Sequence, residues 1–253
     1  MTPFPFSKSP VTELSQNPPY YVSNFGFWTN ATDYKKAGIQ FLYEFAKHCG
    51  LKHNSSILEV GSGLGGSLVY WKDHFNPQKL SAINLSGEQS NFAKELFRER
   101  GIEVEPFLEG SWETIKSLPI NFYDYVFSVD AAYHFKNTIE FYQESFRVLK
   151  PGGKLVLNTF NLEKENTFNF LSLLHLFLIP PNEIKTKEIS IKTLEGLGFT
   201  VEKILDWTDP VIYGFIQNSK TMNLSLRLFS SILKATMKSL GLRYHYYVAI
   251  KPN

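Results

Sequence analysis

The sequence predicts an α/β fold in which a doubly wound, mainly parallel sheet forms a single domain. Short apolar segments alternate with amphipathic segments of helical periodicity along most of the 253 residues. A glycine cluster at 61–66 directly follows the first apolar segment. With 43% hydrophobic and 20% charged residues, the chain can bury the core that a domain of this size needs.

The first predicted element is an amphipathic helix at 31–49, with Asp33 and its neighbours able to cap its start and Gly50 to end it. Strands that alternate with helices indicate a sheet that is covered on both faces. The predicted strands are 56–60, 80–85, 103–108, 125–129, 154–159, 200–205 and 244–250. The later helices are predicted from the glycine cluster to 74 and at 88–100, 138–149, 168–178, 191–197 and 223–240.

We expect residues 1–19 to form a poorly ordered lead-in and residues 20–253 to form the domain. Within the domain, 20–50 would be an N-terminal helical cap or lid and 161–198 an insertion on the substrate side. The N-terminus lacks the basic and apolar runs of a secretory signal. The apolar segment 170–179 is shorter than the ~20 residues that span a bilayer. The sequence therefore predicts a soluble protein.

The charge balance argues against a nucleic-acid partner, because 26 basic and 24 acidic residues leave a net charge of only +2 without runs of like charge. The only cysteine, Cys49, allows no internal disulfide and no thiolate zinc cluster. The six histidines show no ligand-like spacing with carboxylates, so no metal site is expected. These features favour a reducing cytoplasm.

The glycine cluster predicts a site for a nucleotide-like cofactor, because glycines let the backbone turn sharply and approach a ligand closely. Gly61, Gly63 and Gly66 also satisfy the dinucleotide pattern, and a glycine-rich turn without a ligand is a third interpretation. Two polar residues favour S-adenosylmethionine. Glu59 could meet its cationic groups but would repel a pyrophosphate, and Asn84 stands where dinucleotide enzymes most often carry an acid.

Three segments resemble class I S-adenosylmethionine-dependent methyltransferases. Segment 59–65 (EVGSGLG) is similar to their first motif, 84–89 (NLSGEQ) to their second-strand segment, and 144–153 (ESFRVLKPGG) to the stretch before their fifth strand. Segments 24–28 and 131–135 resemble the branch of tocopherol, sterol and natural-product sugar O-methyltransferases. The resemblance covers most of the chain from about residue 20, and it implies a Rossmann-like sheet of seven strands with the last strand antiparallel.

The resemblance also implies the residues that hold S-adenosylmethionine and its product S-adenosylhomocysteine. They are Glu59, Gly61 and Gly63 at the methionine moiety, Asn84 and Gln89 at the ribose, and Ser111 and Trp112 at the adenine, with Ser62 and Leu85 as further cofactor-binding residues. Asp130 is a further candidate, either for contact with the cofactor or as a cap for the following turn. Tyr21 and Trp28 belong to an aromatic group ahead of the first helix that could act as a lid and face the sulfonium through its rings. Packing in the core is the alternative for these aromatic side chains. The family usually has an acid where Ser111 stands.

His134 is the candidate general base, because it follows the fourth strand at the ligand-binding end of the sheet and imidazole titrates near neutral pH. A structural histidine bonded to a backbone carbonyl is the alternative. In the similar sugar O-methyltransferases, a histidine here works with an acid after the fifth strand. This chain has Asn158-Thr159-Phe160 instead, so Asp130 is the second catalytic candidate.

The expected acceptor is a small molecule, in particular a hydroxyl of a hydrophobic or glycosylated metabolite. The apolar segment 168–179 suits a hydrophobic acceptor, or one taken from a membrane surface by peripheral contact. An ordinary buried helix or a dimer contact explains the same residues. The alternative functions are C- or N-methylation of a lipid-like acceptor, a nicotinamide-dependent oxidoreductase, and a protein that binds S-adenosylmethionine without catalysis.

Overall fold

A computed structural model describes residues 19–164 and 174–253. The predicted lead-in therefore lies outside the described residues except for its last position, as does most of the helix predicted at 168–178. The described end of that helix, 174–177, is a turn of 3-10 helix. Among the described residues, no helix combines the length and the apolar character needed to span a membrane.

One seven-stranded sheet forms the centre of the fold, in the order β3-β2-β1-β4-β5-β7-β6. Its last strand, β7, runs antiparallel to its neighbours β5 and β6, and the remaining pairs are parallel. The predicted fold class is thereby confirmed. The strands are β1 Ser56–Val60, β2 Lys79–Asn84, β3 Phe107–Glu109, β4 Tyr123–Ser128, β5 Leu149–Leu162, β6 Thr200–Asp206 and β7 Leu242–Ile250.

Helices cover both faces of the sheet, which gives the buried apolar side chains two separate clusters. The helices are α1 Tyr34–Cys49, α2 Gly66–Phe75, α3 Gly87–Arg100, α4 Thr138–Val148, α5 Lys187–Gly196, α6 Gly214–Asn218 and α7 Leu224–Leu240. Residues of α1, α2, α3 and α7 belong to one cluster, and residues of α4 and α5 belong to the other.

Two predicted boundaries were wrong in instructive ways. Strand β3 is shorter than expected, because Pro106 has no N–H to donate to the ladder. Strand β5 begins before the predicted start, since its pairing with β4 already includes Leu149. A π-helical turn at Thr208–Tyr213 and the short helix α6 were not predicted at all.

Helix α1 carries the aromatic centre of the first cluster. As predicted, the Asp33 side chain accepts a hydrogen bond from Lys36 N at 2.9 Å, and Gly50 ends the helix with φ +65°. Phe45 is fully buried and meets the rings of Trp71, Phe127 and Tyr246 within about 6 Å. The helix is therefore held against both α2 and the sheet by one side chain.

Phe45→Ala is expected to lower the free energy of unfolding by about 3–5 kcal/mol, because it removes the whole of this buried ring. Tyr43→Ala is the matched control, since Tyr43 lies in the same helix but is 49% exposed. We expect the control to cost less than about 1 kcal/mol. Urea denaturation of both variants measures the difference, and equal losses would contradict this account of the core.

Candidate active site

The glycine loop lies where the strand order reverses, between the carboxyl ends of β1 and β4, which is where ligands of open α/β sheets bind. Gly61 N donates to Ile83 O at 2.8 Å, which turns the chain towards β2. Gly61 has φ +82°, and a Cβ there would lie 2.7 Å from the Cβ of Ala131. Only glycine therefore allows the loop and the segment after β4 to come this close.

The next residues of the loop form a cradle. Gly63 has φ +55°, and a Cβ added to it would meet nothing within 4 Å. The Ser62 Oγ atom is buried and forms no hydrogen bond with any described residue. Open space beside an unsatisfied buried hydroxyl fits a polar ligand, because buried polar groups otherwise find a partner.

Asn84 connects this cradle to the end of β2. Its Oδ1 accepts from Gly63 N at 3.0 Å, and its Nδ2 donates to Ser86 O at 3.2 Å and to Ser90 Oγ at 3.3 Å. The amide therefore fixes the shape of the glycine loop. Leu85 next to it is 49% exposed, and the Gln89 side chain lies 3.5 Å from Asn84 Nδ2.

Glu59 faces helix α2. It is 1% exposed, and its two carboxylate oxygens accept hydrogen bonds from the Ser67 hydroxyl and, at 2.7 Å, from Trp71 Nε1. Burial raises the pKa of Glu59 to about 7, against the lowering effect of these two donors. In this structure Glu59 joins β1 to α2, and its direct contact with the methionine moiety stays a prediction.

Asp130, just after β4, accepts three hydrogen bonds. Its donors are Phe25 N at 3.0 Å, the Tyr133 hydroxyl at 2.9 Å and the Tyr244 hydroxyl. The residue has φ +53°, and burial raises the pKa of its carboxyl to about 6 although the two hydroxyls lower it. Asp130 thereby joins the N-terminal segment, the turn after β4 and the last strand.

His134 lies in the short 3-10 turn Ala132–His134, four residues beyond Asp130. Its Nδ1 is 3.2 Å from the backbone oxygen of Leu178. A carbonyl oxygen only accepts, so Nδ1 carries the proton of the neutral ring and the basic lone pair is on Nε2. Burial lowers the pKa of His134 to about 4, so the ring is neutral across the physiological range. The predicted base and the predicted structural histidine are both compatible with this bond.

Comparison with known proteins assigns the central part of the chain. Residues 58–157, which run from within β1 to within β5 and include the loops just described, match a family model described as a methyltransferase domain. This match spans 100 of the 253 residues, and over that part the chain is similar to a methyltransferase domain. Among the described residues, no group of three or more histidine, cysteine, aspartate and glutamate side chains could hold a metal ion in this domain.

Relatives of the methyltransferase domain act on different acceptors. The chain is 26% identical over 136 residues to erythromycin 3''-O-methyltransferase of Saccharopolyspora erythraea, a match that spans 53% of this chain and 44% of that protein. It is 30% identical over 123 residues to phosphoethanolamine N-methyltransferase 1 of Arabidopsis thaliana, spanning 49% of this chain and 24% of the relative. The matches thus cover less than half of the length of these two relatives.

Solved structures share the fold of the methyltransferase domain over nearly the whole chain. Geranyl diphosphate C-methyltransferase from Streptomyces coelicolor A3(2), in complex with Mg²⁺, geranyl-S-thiolodiphosphate and S-adenosyl-L-homocysteine, superposes with a TM-score of 0.79 at 14% identity, covering 96% of this chain and 93% of that one. The cyclase SpnF superposes with a TM-score of 0.74 at 19% identity, covering 96% and 91%. The fold therefore occurs with more than one named reaction.

The aromatic segment at the N-terminus passes over the methyltransferase glycine loop. A Cβ at Gly66 would overlap the backbone oxygen of Tyr20, so the segment contacts the start of α2. Tyr21 follows with φ +47°, and its ring packs edge-on against Phe92 at 5.2 Å. The backbone oxygen of Tyr21 also lies close to Gly66, at the end of the glycine loop, and its role as a lid residue stays a prediction.

Two tryptophans that are predicted to contact the cofactor lie in the core of the protein. Trp28 is 7% exposed, and its Nε1 donates to Phe25 O at 2.8 Å, which supports the loop that reaches Asp130. Trp112 is 4% exposed, and its Nε1 donates to Lys136 O at 2.7 Å. Their contacts with the cofactor stay predictions, as does that of Ser111, whose exposed hydroxyl donates to Glu113.

Sequence reasoning missed Tyr133 and Tyr244 as partners of Asp130. Tyr133 lies in segment 131–135, three residues after Asp130. This spacing could have indicated a contact between the two side chains. Tyr244 lies 114 positions away on β7, and only the antiparallel pairing of β7 with β5 brings it to the site. Such long-range contacts leave no local pattern in one sequence.

Glu59→Gln tests the buried carboxyl. A carboxyl whose pKa rises from 4.5 to about 7 on folding stabilises the protein most below pH 4.5, and this contribution is lost as the pH rises through 7. The stability of the wild type relative to Glu59→Gln should therefore fall by about 3 kcal/mol between pH 4.5 and 8. Urea denaturation of both proteins at the two pH values measures this, and parallel pH dependence would refute it.

Proposed function

We propose that this protein is an S-adenosylmethionine-dependent methyltransferase that methylates a small molecule, in particular a hydroxyl of a hydrophobic or glycosylated metabolite. The observation that carries the proposal is the cradle at Ser62 and Gly63, because it combines open space with an unsatisfied buried hydroxyl inside a methyltransferase domain. The similarity to an erythromycin O-methyltransferase supports the choice of a hydroxyl on a glycosylated molecule.

The residues around the cradle fit S-adenosylmethionine. When bound, this cofactor supplies a methyl group on a sulfonium, which is a good leaving group. Ser62 Oγ would bind its polar end, Gly63 would give it room, and Leu85 and Gln89 would contact its nucleoside. Asn84 holds the loop in shape through Gly63 N. Alignment of the acceptor is then the main task that remains for the protein.

His134 is the proposed general base. Its Nδ1–H donates to Leu178 O, which orients the ring, and Nε2 is the basic ring nitrogen that would accept the hydroxyl proton. Because burial lowers the pKa of His134 to about 4, the ring is already in its neutral, proton-accepting form at pH 7. Asp130 is a positioning residue here, since its carboxylate holds Phe25, Tyr133 and Tyr244.

The segments outside the core complete the proposal. Residues 20–50 act as the cap and lid over the cofactor, and the described parts of the predicted insertion 161–198, which are 161–164 and 174–198, cover the acceptor side. Trp28, Ser111 and Trp112 would reach the cofactor only by small movements of the loops that hold them. A buried free thiol at Cys49 suits a reducing cytoplasm.

A non-catalytic binding protein is the second candidate, and Asn158 favours it. This residue stands where the similar enzymes carry an acid, is fully buried, and has neither amide atom bonded to a described residue. Methylation of carbon or nitrogen on a lipid-like acceptor is the alternative within the enzyme class. Such reactions need no base when the nucleophile carries no proton to lose.

Calorimetric titration tests the cofactor, with S-adenosylmethionine, S-adenosylhomocysteine and NADH as ligands. We expect binding of the first two and none of NADH.

Gly63→Ala should weaken binding of S-adenosylmethionine at least about 10-fold, since the added methyl enters space that the ligand needs. Gly101→Ala is the matched control, because Gly101 also has positive φ and open space but ends α3 away from the loop. Equal effects of both variants, or binding of NADH alone, would overturn the cofactor assignment.

Two substitutions of His134 separate a base from a structural histidine. Asparagine can keep the donor to Leu178 O but has no counterpart of Nε2, whereas alanine removes both. If His134 is the base, both variants lose turnover about 100-fold or more while S-adenosylmethionine still binds. If the histidine is only structural, His134→Asn restores most of the activity that His134→Ala loses.

In the wild type, kcat should stay flat from pH 8 down to pH 5.5 with respect to this group, because its pKa is lowered to about 4.

A further inference from the structure

Helix α7 carries a second apolar stripe that is not buried. Its inner side chains, including Leu226, Leu233 and Met237, lie in the core as their spacing predicts. Leu224, Leu228 and Ile232 follow each other at intervals of four residues and are 76%, 61% and 38% exposed. At 3.6 residues per turn these three positions share one outward face.

The adjoining segment extends this apolar face. Leu176 and Leu178 are 63% and 40% exposed, and the ring of Phe177 between them packs against Phe229 of α7 at 5.4 Å. Together with the α7 stripe, these two leucines make five of the eleven exposed large apolar side chains of the described residues. Such clustering differs from the scattered exposure of ordinary surfaces and indicates an interaction site.

Basic side chains lie along one side of the apolar stripe. Arg227, Lys234 and Lys238 lie on α7, which has no acidic residue. By helical geometry they fall between the exposed leucines and the buried side chains. None of them forms an ion pair with another residue in 19–164 or 174–253.

A cleft of about 470 Å³ opens beside this basic edge, between α6 and α7. Lys220, Arg227 and Lys234 are among its lining residues, together with the hydroxyls of Ser230 and Ser231, and no acidic side chain lines it. Both hydroxyls donate to the backbone oxygen of Arg227. The cleft therefore offers its cations to a phosphate group directly next to exposed leucines.

We propose that this face, formed by α7 and residues 176–178, docks on a lipid bilayer that contains anionic phospholipids. The leucines and Ile232 enter the interface, and Lys220, Arg227 and Lys234 bind lipid phosphates. A free phosphate compound would bind the cations but would gain nothing from the exposed leucines. A second copy of the chain would place its own lysine and arginine side chains against those of the first copy. The proposal is independent of methyl transfer.

Vesicle flotation tests the proposal without any assay of activity. We expect the protein to float with vesicles of phosphatidylcholine and phosphatidylserine, to float much less with phosphatidylcholine alone, and to release as salt rises. The double variants Leu224→Ser/Leu228→Ser and Arg227→Glu/Lys234→Glu should each reduce the bound fraction about 10-fold.

Matched controls alter the same residue types elsewhere. Ile120→Ser/Ile139→Ser changes apolar side chains that are 63% and 54% exposed, and Lys35→Glu/Lys192→Glu reverses two exposed lysines. Circular dichroism checks that every variant is folded. Three results would overturn the proposal: equal losses in test and control variants, saturable binding of inorganic phosphate without vesicle binding, or a dimer in sedimentation that the Leu224→Ser/Leu228→Ser variant dissociates.

Discussion

The carboxylate of Asp130 holds together three parts of the chain that are far apart in sequence. It accepts from the backbone of Phe25 and from the hydroxyls of Tyr133 and Tyr244, so the N-terminal cap, the turn after β4 and the last strand meet at one pair of oxygens. A buried carboxylate is costly unless donors surround it, which makes these partners mutually dependent. The position of the cap over the glycine loop follows from this cluster.

The shape of the glycine loop depends in turn on two polar residues, Asn84 and Glu59, which the sequence predicts to bind the cofactor. Asn84 fixes Gly63 N, and Glu59 ties β1 to α2 through Ser67 and Trp71. A side chain that shapes a site and one that touches a ligand can occupy the same position in a motif. The motif therefore predicted where the site lies. The role of each residue could be assigned only once the structure showed which way its side chain points.

Local periodicity predicted most of the fold because the strands are short, apolar and separated by amphipathic helices. The boundaries of β1 were correct, and the cap of α1 by Asp33 was too, since both depend on neighbouring residues only. Strand β3 was overestimated at a proline, and the turn Thr208–Tyr213 was missed because π-helical backbone has no sequence period of its own. Contacts such as that of Tyr244 with Asp130 depend on the completed sheet and were beyond any local pattern.

Aromatic contacts connect the surface of α7 to the proposed base His134 and to the positioning residue Asp130. Phe229 packs against Phe177, and the next residue, Leu178, supplies the carbonyl that orients His134. On its other side Phe229 meets Phe215, which packs against Phe25, whose backbone binds Asp130. Packed interiors transmit displacement. A bilayer bound to α7 would therefore act close to Leu178 and Phe25, which hold His134 and Asp130 in place. Leu178, whose side chain belongs to this face, therefore links the proposed lipid-binding surface to His134 through its carbonyl oxygen.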